Sequence, residues 1–202
     1  MMLERAERMV RRLVALGAGG AAVVAVPGIV ASAADRGRSI GRPELIFSPI
    51  RLAAVAGGWF AAAIVAWRPL PWQPSAATRW LLLGTGFAAF VGGLAFAVAG
   101  RLALGSSYRP SSTVGASLAT GHRLVTDGPY ALVRHPMYLG LALMAFGSLA
   151  LYRTWTTAWF VVQLPVLAVR ARREETLLEE VFGDEWRHYA ARVPPWLPTA
   201  RA

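Results

Sequence analysis

Long apolar runs alternate with polar segments along most of the chain. Five of these runs approach or reach the length that a helix needs to cross a hydrocarbon core of roughly 30 Å. They comprise residues 13–34, 52–67, 80–99, 137–152 and 155–169. This pattern predicts an all-α integral membrane protein with about five transmembrane helices, the last two joined as a hairpin.

The polar segments divide the chain, which we interpret as a single domain, into four parts. Residues 1–100 hold three predicted membrane helices, 101–136 form a polar loop, 137–169 form the hairpin, and 170–202 form a charged tail. The loop is rich in Gly, Ser and Thr between residues 105 and 121. Loops of this length are usually functional, so we expect chemistry on this side of the protein.

Glycines inside the predicted helices indicate close helix packing. Gly84, Gly86, Gly92 and Gly93 lie in the third run and would let a neighbouring backbone approach. Residues 17–20, Gly-Ala-Gly-Gly, lie in the first run with no strand before them, which argues against a dinucleotide-binding loop.

The first run has a second interpretation as a signal peptide. Basic residues precede it, and residues 31–33 read Ala-Ser-Ala, a possible cleavage site. The run is long for a signal peptide, and its roughly twenty apolar residues are enough to span a bilayer. We therefore favour a membrane helix.

Composition supports a membrane protein. Hydrophobic residues make up 55% of the chain and charged residues 16%, against about a quarter in soluble domains. The net charge of +10 comes from 21 basic residues that are all Arg and that flank the apolar runs. This distribution indicates membrane topology and argues against nucleic-acid binding. The absence of Cys excludes disulfides and thiolate metal sites, and we predict no metal.

The arginines also predict an orientation. With the N-terminus outside, the inner segments of the five-span arrangement carry fourteen Arg and the outer segments seven. The loop and the tail then share the cytosolic face. An all-Arg chain without Lys is typical of a GC-rich bacterium, so the expected location is the bacterial inner membrane. The four Arg of residues 1–12 favour the opposite orientation.

Residues 122–140, HRLVTDGPYALVRHPMYLG, are the main polar interruption between apolar runs. Pro136 restricts His135 to an extended conformation, so Arg134 and His135 end a loop immediately before a membrane helix begins. The free N-terminus of that helix favours an anion. The same residues also fit an interfacial anchor, in which Arg and His extend toward water and Tyr joins an aromatic belt.

The charged tail offers a partner for this stretch. Arg170 and Glu174 are four residues apart on one helix face, directly after the last apolar run. Gly183 is a natural helix stop, and a second short helix is predicted from Asp184 to about Arg192. A solvated charged helix is the alternative interpretation of the other tail carboxylates.

Residues at fixed spacings in these two segments together form one pattern. The first contributes His122, Leu124, Val125, Thr126, Gly128, Tyr130, Arg134, His135, Pro136 and Tyr138, and the second Arg170, Glu174, Glu175, Leu178, Phe182, Gly183, Tyr189, Arg192, Val193 and Pro194. This pattern resembles the isoprenylcysteine carboxyl methyltransferase family of membrane methyltransferases, and the related phospholipid methyltransferases are similar. The resemblance covers roughly residues 120–198.

The resemblance implies a helical membrane enzyme that binds S-adenosylmethionine without a Rossmann fold. The cytosolic loop and the C-terminal helical tail would form the cofactor pocket. The implied cofactor-binding residues are His122, Leu124, Val125, Tyr130, His135, Pro136, Met137, Tyr138 and Glu174. Arg170 would be the catalytic residue that faces the acceptor and the transferred methyl group. A Glu and aromatic rings suit the cationic parts of the cofactor, and a helix N-terminus suits its carboxylate.

The implied reaction is methyl transfer to a small lipophilic or lipid-anchored acceptor, with a carboxylate as the first expectation. If the acceptor is instead a thiol or an amine, His135 or His122 becomes a candidate base. An NADPH-dependent membrane reductase similar to sterol reductases is the alternative enzyme, because those proteins also place an Arg-His pair before a helix. A non-enzymatic scaffold or transporter is a third possibility, although the apolar runs contain no acidic residue for an ion pathway.

Overall fold

The protein is seen here as a computed structural model that describes residues 1–34, 39–40, 57–59, 61–105, 118–119 and 123–197. Its helices are α1 (Met2–Ala34), α2 (Ala76–Leu104), α3 (Pro136–Tyr152), α4 (Trp155–Val162), α5 (Leu164–Phe182) and α6 (Asp184–Arg192). Residues 57–59 and 61–65 are also helical, and Gly128–Ala131 form a short 3-10 helix.

The predicted all-helical class is confirmed for the described residues, apart from one short pairing. Strand β1 (Ser39–Ile40) pairs with β2 (Leu118–Ala119) in antiparallel register, with Ser39 opposite Ala119. Much of the predicted polar loop, including His122, lies outside the described residues, as does the start of the second predicted span.

Among the described residues, one helix is long and apolar enough to cross a membrane. This helix is α2, and only 22% of its most apolar stretch is buried. The 17-residue α3 is also apolar but shorter. Low burial distinguishes α2 from the core helix of a soluble protein, which is mostly covered by its own chain.

Glycines allow α2 and α3 to pack backbone against backbone in antiparallel orientation. A Cβ placed on Gly93 would lie 2.5 Å from the Gly140 carbonyl oxygen, and one on Gly147 would lie 2.7 Å from that of Gly86. Gly86 and Gly93 therefore pack as predicted. Within the described part of the chain, nothing lies within 4 Å of a Cβ placed on Gly84 or Gly92, so these two glycines do not contribute to the α2–α3 contact.

Helix α1 runs parallel to α2. Glu7 near the start of α1 binds Arg79 near the start of α2, and Gly17 lies against Leu94 further along. Val14 and Phe90 are buried in the apolar core between them. Because α3 is antiparallel to both, the bundle has one end where α3 begins and an opposite end where α1 and α2 begin.

The predicted fifth run, residues 155–169, is not one continuous helix. Helix α4 ends at Val162, and α5 begins at Leu164 with a proline in its first turn. A proline donates no backbone N–H, so the sequence favours a helix boundary here. Gly183 has a φ of 53°, which suits glycine, and it separates α5 from α6 where the sequence predicts a stop.

We expect Gly93→Ala to lower stability and Gly92→Ala to leave it unchanged or raise it. The new methyl group at position 93 would overlap the α3 backbone, and overpacking of this kind costs about 1–3 kcal/mol. The adjacent Gly92 is the matched control, because it has open space and alanine favours a helix by up to about 1 kcal/mol. Thermal unfolding in detergent measures the stability of both variants. Equal effects of the two variants would contradict the packing described here.

Candidate active site

The loop before α3 is fixed to the end of the tail by backbone hydrogen bonds. The Arg134 N–H donates to the Pro194 carbonyl at 2.9 Å, and the His135 N–H donates to the Pro195 carbonyl at 3.2 Å. Pro136 is the first residue of α3, where its lack of an N–H leaves no intrahelical bond unmade. The N-terminus of α3 therefore lies directly beside the C-terminal tail.

Glu175 of α5 holds both polar residues of this loop. Its Oε1 lies 2.8 Å from Nε2 of the buried His135 and 3.2 Å from Nε of Arg134. Arg134 also donates to the Ala190 carbonyl at 3.3 Å, and its guanidinium lies 5.7 Å from the Trp186 ring centre. These contacts join the loop to α5 and α6 at once.

Glu174 faces the first turn of α3. The Tyr138 hydroxyl donates to Glu174 Oε1 in a short hydrogen bond. Arg170 Nη2 lies 3.9 Å from the same oxygen, and the Arg170 guanidinium lies 5.9 Å from the Tyr138 ring centre. The i,i+4 relationship of Arg170 and Glu174 thus brings both side chains to one aromatic residue.

Three aromatic rings complete the site. His135 stacks on Tyr138 with ring centres 5.7 Å apart and planes 15° apart. Trp196 from the tail lies 5.5 Å from His135 and 6.4 Å from Tyr138, ring centre to ring centre. We call His135, Tyr138, Glu174, Glu175, Arg170 and Trp196 the site cluster.

The other sequence-predicted cofactor residues lie around the site cluster in two groups. Leu124 packs against the buried tail residues Trp186, Tyr189 and Val193, and Val125 is buried. The carbonyl of Tyr130 accepts a hydrogen bond from the Tyr189 hydroxyl at 2.7 Å.

The second group packs against α2. Pro136 and Met137 lie against Gly100, where an added Cβ would come within 2.8 Å of Met137 Cγ. In this structure their side chains therefore contribute to helix packing at the base of the site cluster. The ninth predicted residue, His122, lies outside the described residues.

The two adjacent carboxylates have opposite pKa shifts. Burial raises the pKa of Glu174, and this effect outweighs the hydrogen bond from Tyr138 and the nearby positive charges. Burial acts in the same direction on Glu175, but the hydrogen bond with His135 and the charge of Arg134 outweigh it and lower the Glu175 pKa. Burial raises the pKa of Tyr189 to about 12, so its hydroxyl stays a donor at neutral pH.

A polar groove of about 460 Å³ lies between α5 and α6 on one flank of the site cluster. Its lining residues are Arg134, Arg172, Glu175, Thr176, Glu179, Trp186, Arg187 and Ala190. It shares only Glu175 with the site cluster. The groove therefore opens beside the Glu175 anchor and leaves Glu174 and Tyr138 outside its walls.

Sequence reasoning missed two contributors to the site cluster. Trp196 follows two prolines at the end of the chain, and no periodic pattern connects it with His135 sixty residues earlier. Glu175 belongs to the paired glutamates that carried the resemblance, yet only Glu174 was predicted to line a site. Glu175 lies one residue after Glu174 on α5, and its carboxylate contacts His135 and Arg134.

The site cluster contains groups that favour both signs of charge on a ligand. Glu174 and three aromatic faces favour a cation, whereas the N-terminus of α3 and Arg170 favour an anion. The fold and this arrangement define a helical protein with a polar, aromatic-lined site at one end of an apolar bundle.

Comparison with known proteins identifies the family. The sequence model described as phospholipid methyltransferase matches residues 81–185, just over half of the chain, which includes most of α2 and all of α3, α4 and α5. The chain therefore belongs to the phospholipid methyltransferase family. The predicted relationship to the isoprenylcysteine carboxyl methyltransferases is confirmed by the relatives described next.

Three relatives show the range of this similarity. Protein-S-isoprenylcysteine O-methyltransferase of Schizosaccharomyces pombe is 34% identical over 111 residues, 49% of this chain and 47% of that protein. Methanethiol S-methyltransferase 1 of Bradyrhizobium diazoefficiens is 34% identical over 84 residues, 42% of this chain and 29% of that protein. The Delta(14)-sterol reductase of Mus musculus is 35% identical over 79 residues, 38% of this chain and 19% of that protein. The chain thus spans less than half of each relative.

Glu174→Gln and Glu175→Gln are expected to change the pH dependence of stability in opposite directions. The ionised Glu175 stabilises the fold above its unfolded pKa, and this contribution is lost as the pH falls through its lowered folded pKa. Ionisation of Glu174 costs stability as the pH rises from its unfolded pKa, near 4.5, through its raised folded pKa. At neutral pH, Glu174→Gln should therefore stabilise the ligand-free protein and Glu175→Gln should destabilise it.

Thermal unfolding midpoints between about pH 4 and pH 8 test this difference. Glu180→Gln is the matched control, because Glu180 is exposed on the same helix. A shift in the same direction for the Glu174 and Glu175 variants at neutral pH would contradict the two environments.

Proposed function

We propose that this protein is an S-adenosylmethionine-dependent methyltransferase that acts on a small lipophilic or lipid-anchored acceptor at the membrane–cytosol interface. The observation that carries the proposal is the meeting of His135, Tyr138 and Glu174 at the start of α3. These residues were predicted as cofactor ligands from separate segments of the sequence. Relatives named as methyltransferases of isoprenylcysteine and of methanethiol support the same chemistry.

The residues fit the parts of this cofactor. Glu174 offers a partly exposed carboxylate for an ammonium or sulfonium group, and His135, Tyr138 and Trp196 offer aromatic faces beside it. In this proposal the N-terminus of α3, whose dipole favours an anion, would lie beside the cofactor carboxylate. When bound, S-adenosylmethionine supplies a methyl group on a positively charged sulfur.

Positioning is the main catalytic contribution of the chain in this proposal. Transfer of a methyl group requires the acceptor atom in line with the bond that breaks, so holding the acceptor accounts for much of the rate. Arg170 lies beside Glu174 and the Tyr138 ring, and its planar guanidinium can hold an acceptor carboxylate with two hydrogen bonds. A carboxylate is already ionised at neutral pH and needs no base.

A thiol acceptor would place a different demand on the site. A fraction of the thiol molecules must lose the S–H proton near neutral pH, and an imidazole is the usual acceptor of that proton. His135 is hydrogen-bonded to Glu175 through Nε2 at 2.8 Å. We favour the carboxylate, and the relative named for methanethiol is the reason to include thiols in a substrate screen.

The proposed location is the bacterial inner membrane with the site cluster facing the cytosol. Support comes from the poorly buried apolar α2 and from apolar side chains exposed on α3 and α5, such as Phe146 and Val166. The site cluster and the N-terminus of α1 lie at opposite ends of the bundle, as the arginine-based topology requires. The acceptor would then reach the site from the bilayer.

An NADPH-dependent reductase is the second candidate. The specific observation in its favour is the similarity to a Delta(14)-sterol reductase over 79 residues. The family assignment and the aromatic rings beside Glu174 favour the methyl donor. Nicotinamide adenine dinucleotide phosphate carries several phosphate charges, which the adjacent carboxylates of Glu174 and Glu175 repel.

The Trp196→Ala variant is expected to weaken binding of S-adenosylmethionine more than binding of S-adenosylhomocysteine. The two ligands differ by the methyl group and the positive charge on sulfur, and a cation over a Trp face contributes about 0.5–2 kcal/mol. The expected difference is therefore about two- to thirty-fold in the ratio of the two Kd values, measured by calorimetry. Trp72→Ala, at the opposite end of the bundle, is the control. Equal losses for both ligands would show that Trp196 does not contact the sulfonium.

The Arg170→Ala variant is expected to reduce turnover more than cofactor affinity. Transfer of a labelled methyl group to a lipid extract measures turnover, and calorimetry measures cofactor binding by the same preparation. A bidentate hydrogen bond to an ionised group contributes about 1.5–3 kcal/mol, so a loss of ten-fold or more is expected. Arg172→Ala provides a control on the same helix with an exposed arginine. Equal loss of turnover and affinity would place Arg170 in the cofactor site instead.

A further inference from the structure

The end of the bundle opposite the site cluster contains a buried carboxylate surrounded by arginines. Glu7 is 5% exposed and accepts hydrogen bonds from Arg79 Nε at 3.1 Å and Nη2 at 2.7 Å. It also accepts one from Arg153 Nη2 at 3.0 Å, and Arg11 Nη2 lies 3.8 Å away. We call Glu7, Arg11, Arg79 and Arg153 the basic cluster. It joins α1, α2 and the end of α3.

The charges of the basic cluster do not balance. Three guanidinium groups surround one carboxylate, which leaves two positive charges in excess. Glu4, one turn earlier, is exposed and forms no direct ion pair within the described part of the chain, although its negative charge attracts Arg79 from a longer distance. Positive charges grouped in a partly buried place repel each other and favour an anion as a further partner.

The cluster is accessible from outside. The side chains of Arg11 and Arg79 are 33% and 30% exposed, whereas Glu7 beneath them is buried. Arg11 donates from Nε to the Leu151 carbonyl at 3.0 Å, but the 3.8 Å from its Nη2 to Glu7 is beyond hydrogen-bond distance. Within the described part of the chain its terminal nitrogens form no hydrogen bond, and the guanidinium lies 5.7 Å from the centre of the Tyr152 ring. An oxygen anion can therefore approach these nitrogens.

The backbone at Arg153 supports a specific role for its side chain. Arg153 has φ 53° and ψ 48°, the left-handed conformation that favours glycine at a helix end. A non-glycine residue here costs roughly 1 kcal/mol. The guanidinium offsets this cost by reaching both Glu7 and the Ala150 carbonyl, the latter at 3.0 Å.

Tryptophans surround the same end of the bundle. Trp67, Trp72, Trp80 and Trp155 are each about half exposed and flank the starts of α2 and α4. Exposed Trp side chains at the ends of apolar helices are typical of the membrane–water interface. Beyond the cluster, Arg5, Arg8, Arg12 and Arg68 are also exposed at this end. The basic cluster therefore lies at the depth of lipid headgroups.

We propose that the basic cluster binds the phosphate of an anionic phospholipid headgroup, on the membrane face opposite the candidate active site. Arg11 and Arg79 supply the donors, and Glu7 and Arg153 hold those two arginines in place. The bound lipid would tie α1 to the α2–α3 pair from outside. This inference rests on the membrane placement proposed above and is independent of the methyl-transfer chemistry.

The test uses the full chain purified in a neutral detergent. Native mass spectrometry and thermal unfolding compare added phosphatidylglycerol, phosphatidylcholine and inorganic phosphate at matched concentrations. We expect phosphatidylglycerol to be retained preferentially and to raise the Tm, with roughly fivefold preference for each uncompensated arginine charge. No preference of the wild type for phosphatidylglycerol over phosphatidylcholine overturns the proposal. An equal Tm increase with inorganic phosphate overturns the lipid as the ligand.

Two neighbouring arginines give a matched pair of variants. Arg11→Gln should lose about fivefold of the preference, whereas Arg12→Gln, exposed and outside the cluster, should retain it. Arg11→Lys keeps the charge and replaces Arg11→Gln as the test variant if that variant fails to fold. It should keep part of the preference for phosphatidylglycerol over phosphatidylcholine. Equal losses in Arg11→Gln and Arg12→Gln would indicate diffuse attraction to the membrane and overturn the site. S-adenosylmethionine binding by the same preparations reports separately on the proposed methyltransferase function.

Discussion

The close contact between α2 and α3 determines where every functional group lies. Backbone atoms approach each other at Gly93 and Gly140 and again at Gly86 and Gly147, so the two helix backbones are in direct contact at both places. This contact fixes the start of α3, with Pro136 and Met137 packed against Gly100. The loop that carries Arg134 and His135 therefore has a rigid support. Catalytic geometry on a loop depends on such a scaffold.

The two ends of this helical pair perform different tasks. At one end, Glu175 and the tail carbonyls hold the loop, while Tyr138 and Trp196 form an aromatic site beside the Glu174 carboxylate. At the other end, about 25 Å away along α3, Glu7 holds arginines in excess. Polar networks at the ends and apolar side chains between them suit a protein whose middle lies in hydrocarbon.

Stability and function have opposite requirements at Glu174. Burial of this carboxylate raises its pKa and makes the ionised form costly in the ligand-free protein. A cationic ligand would compensate that charge. The free energy that the ionised form costs in the ligand-free protein would therefore favour binding of a cation. Glu175 next to it has the opposite character, because His135 and Arg134 already compensate its charge. Adjacent carboxylates on one helix thus divide into a proposed ligand group and a structural anchor.

Much of this arrangement could be predicted from the sequence because it depends on local signals. Helix periodicity, Gly183 and the proline at 136 predicted α3, α5, α6 and the loop that ends at His135. The spacing of Arg170 and Glu174 predicted that they share a face, and they do. Gly86 and Gly93 were correctly predicted as packing positions, whereas Gly84 and Gly92 show that a glycine alone does not reveal which side of a helix is covered.

Contacts between distant segments could not be predicted in the same way. Trp196 reaches His135 because the tail pairs with the loop through backbone atoms, which carry no sequence signal. The basic cluster joins residues up to 146 positions apart and depends on the parallel arrangement of α1 and α2. The break at Gln163 follows from a proline inside a run that appeared continuous by hydropathy. Tertiary contacts decide the first two features, whereas the break at Gln163 has a local cause, the proline at position 165, which hydropathy alone does not detect.

Competitive binding to the purified wild type tests the central claim most directly. Calorimetric titration with S-adenosylmethionine, repeated in the presence of NADPH, measures which cofactor occupies the site cluster. Our account predicts saturable binding of S-adenosylmethionine, unaffected by NADPH and severely weakened in Glu174→Ala. Absence of that binding, with saturable NADPH binding in its place, would contradict the methyltransferase assignment.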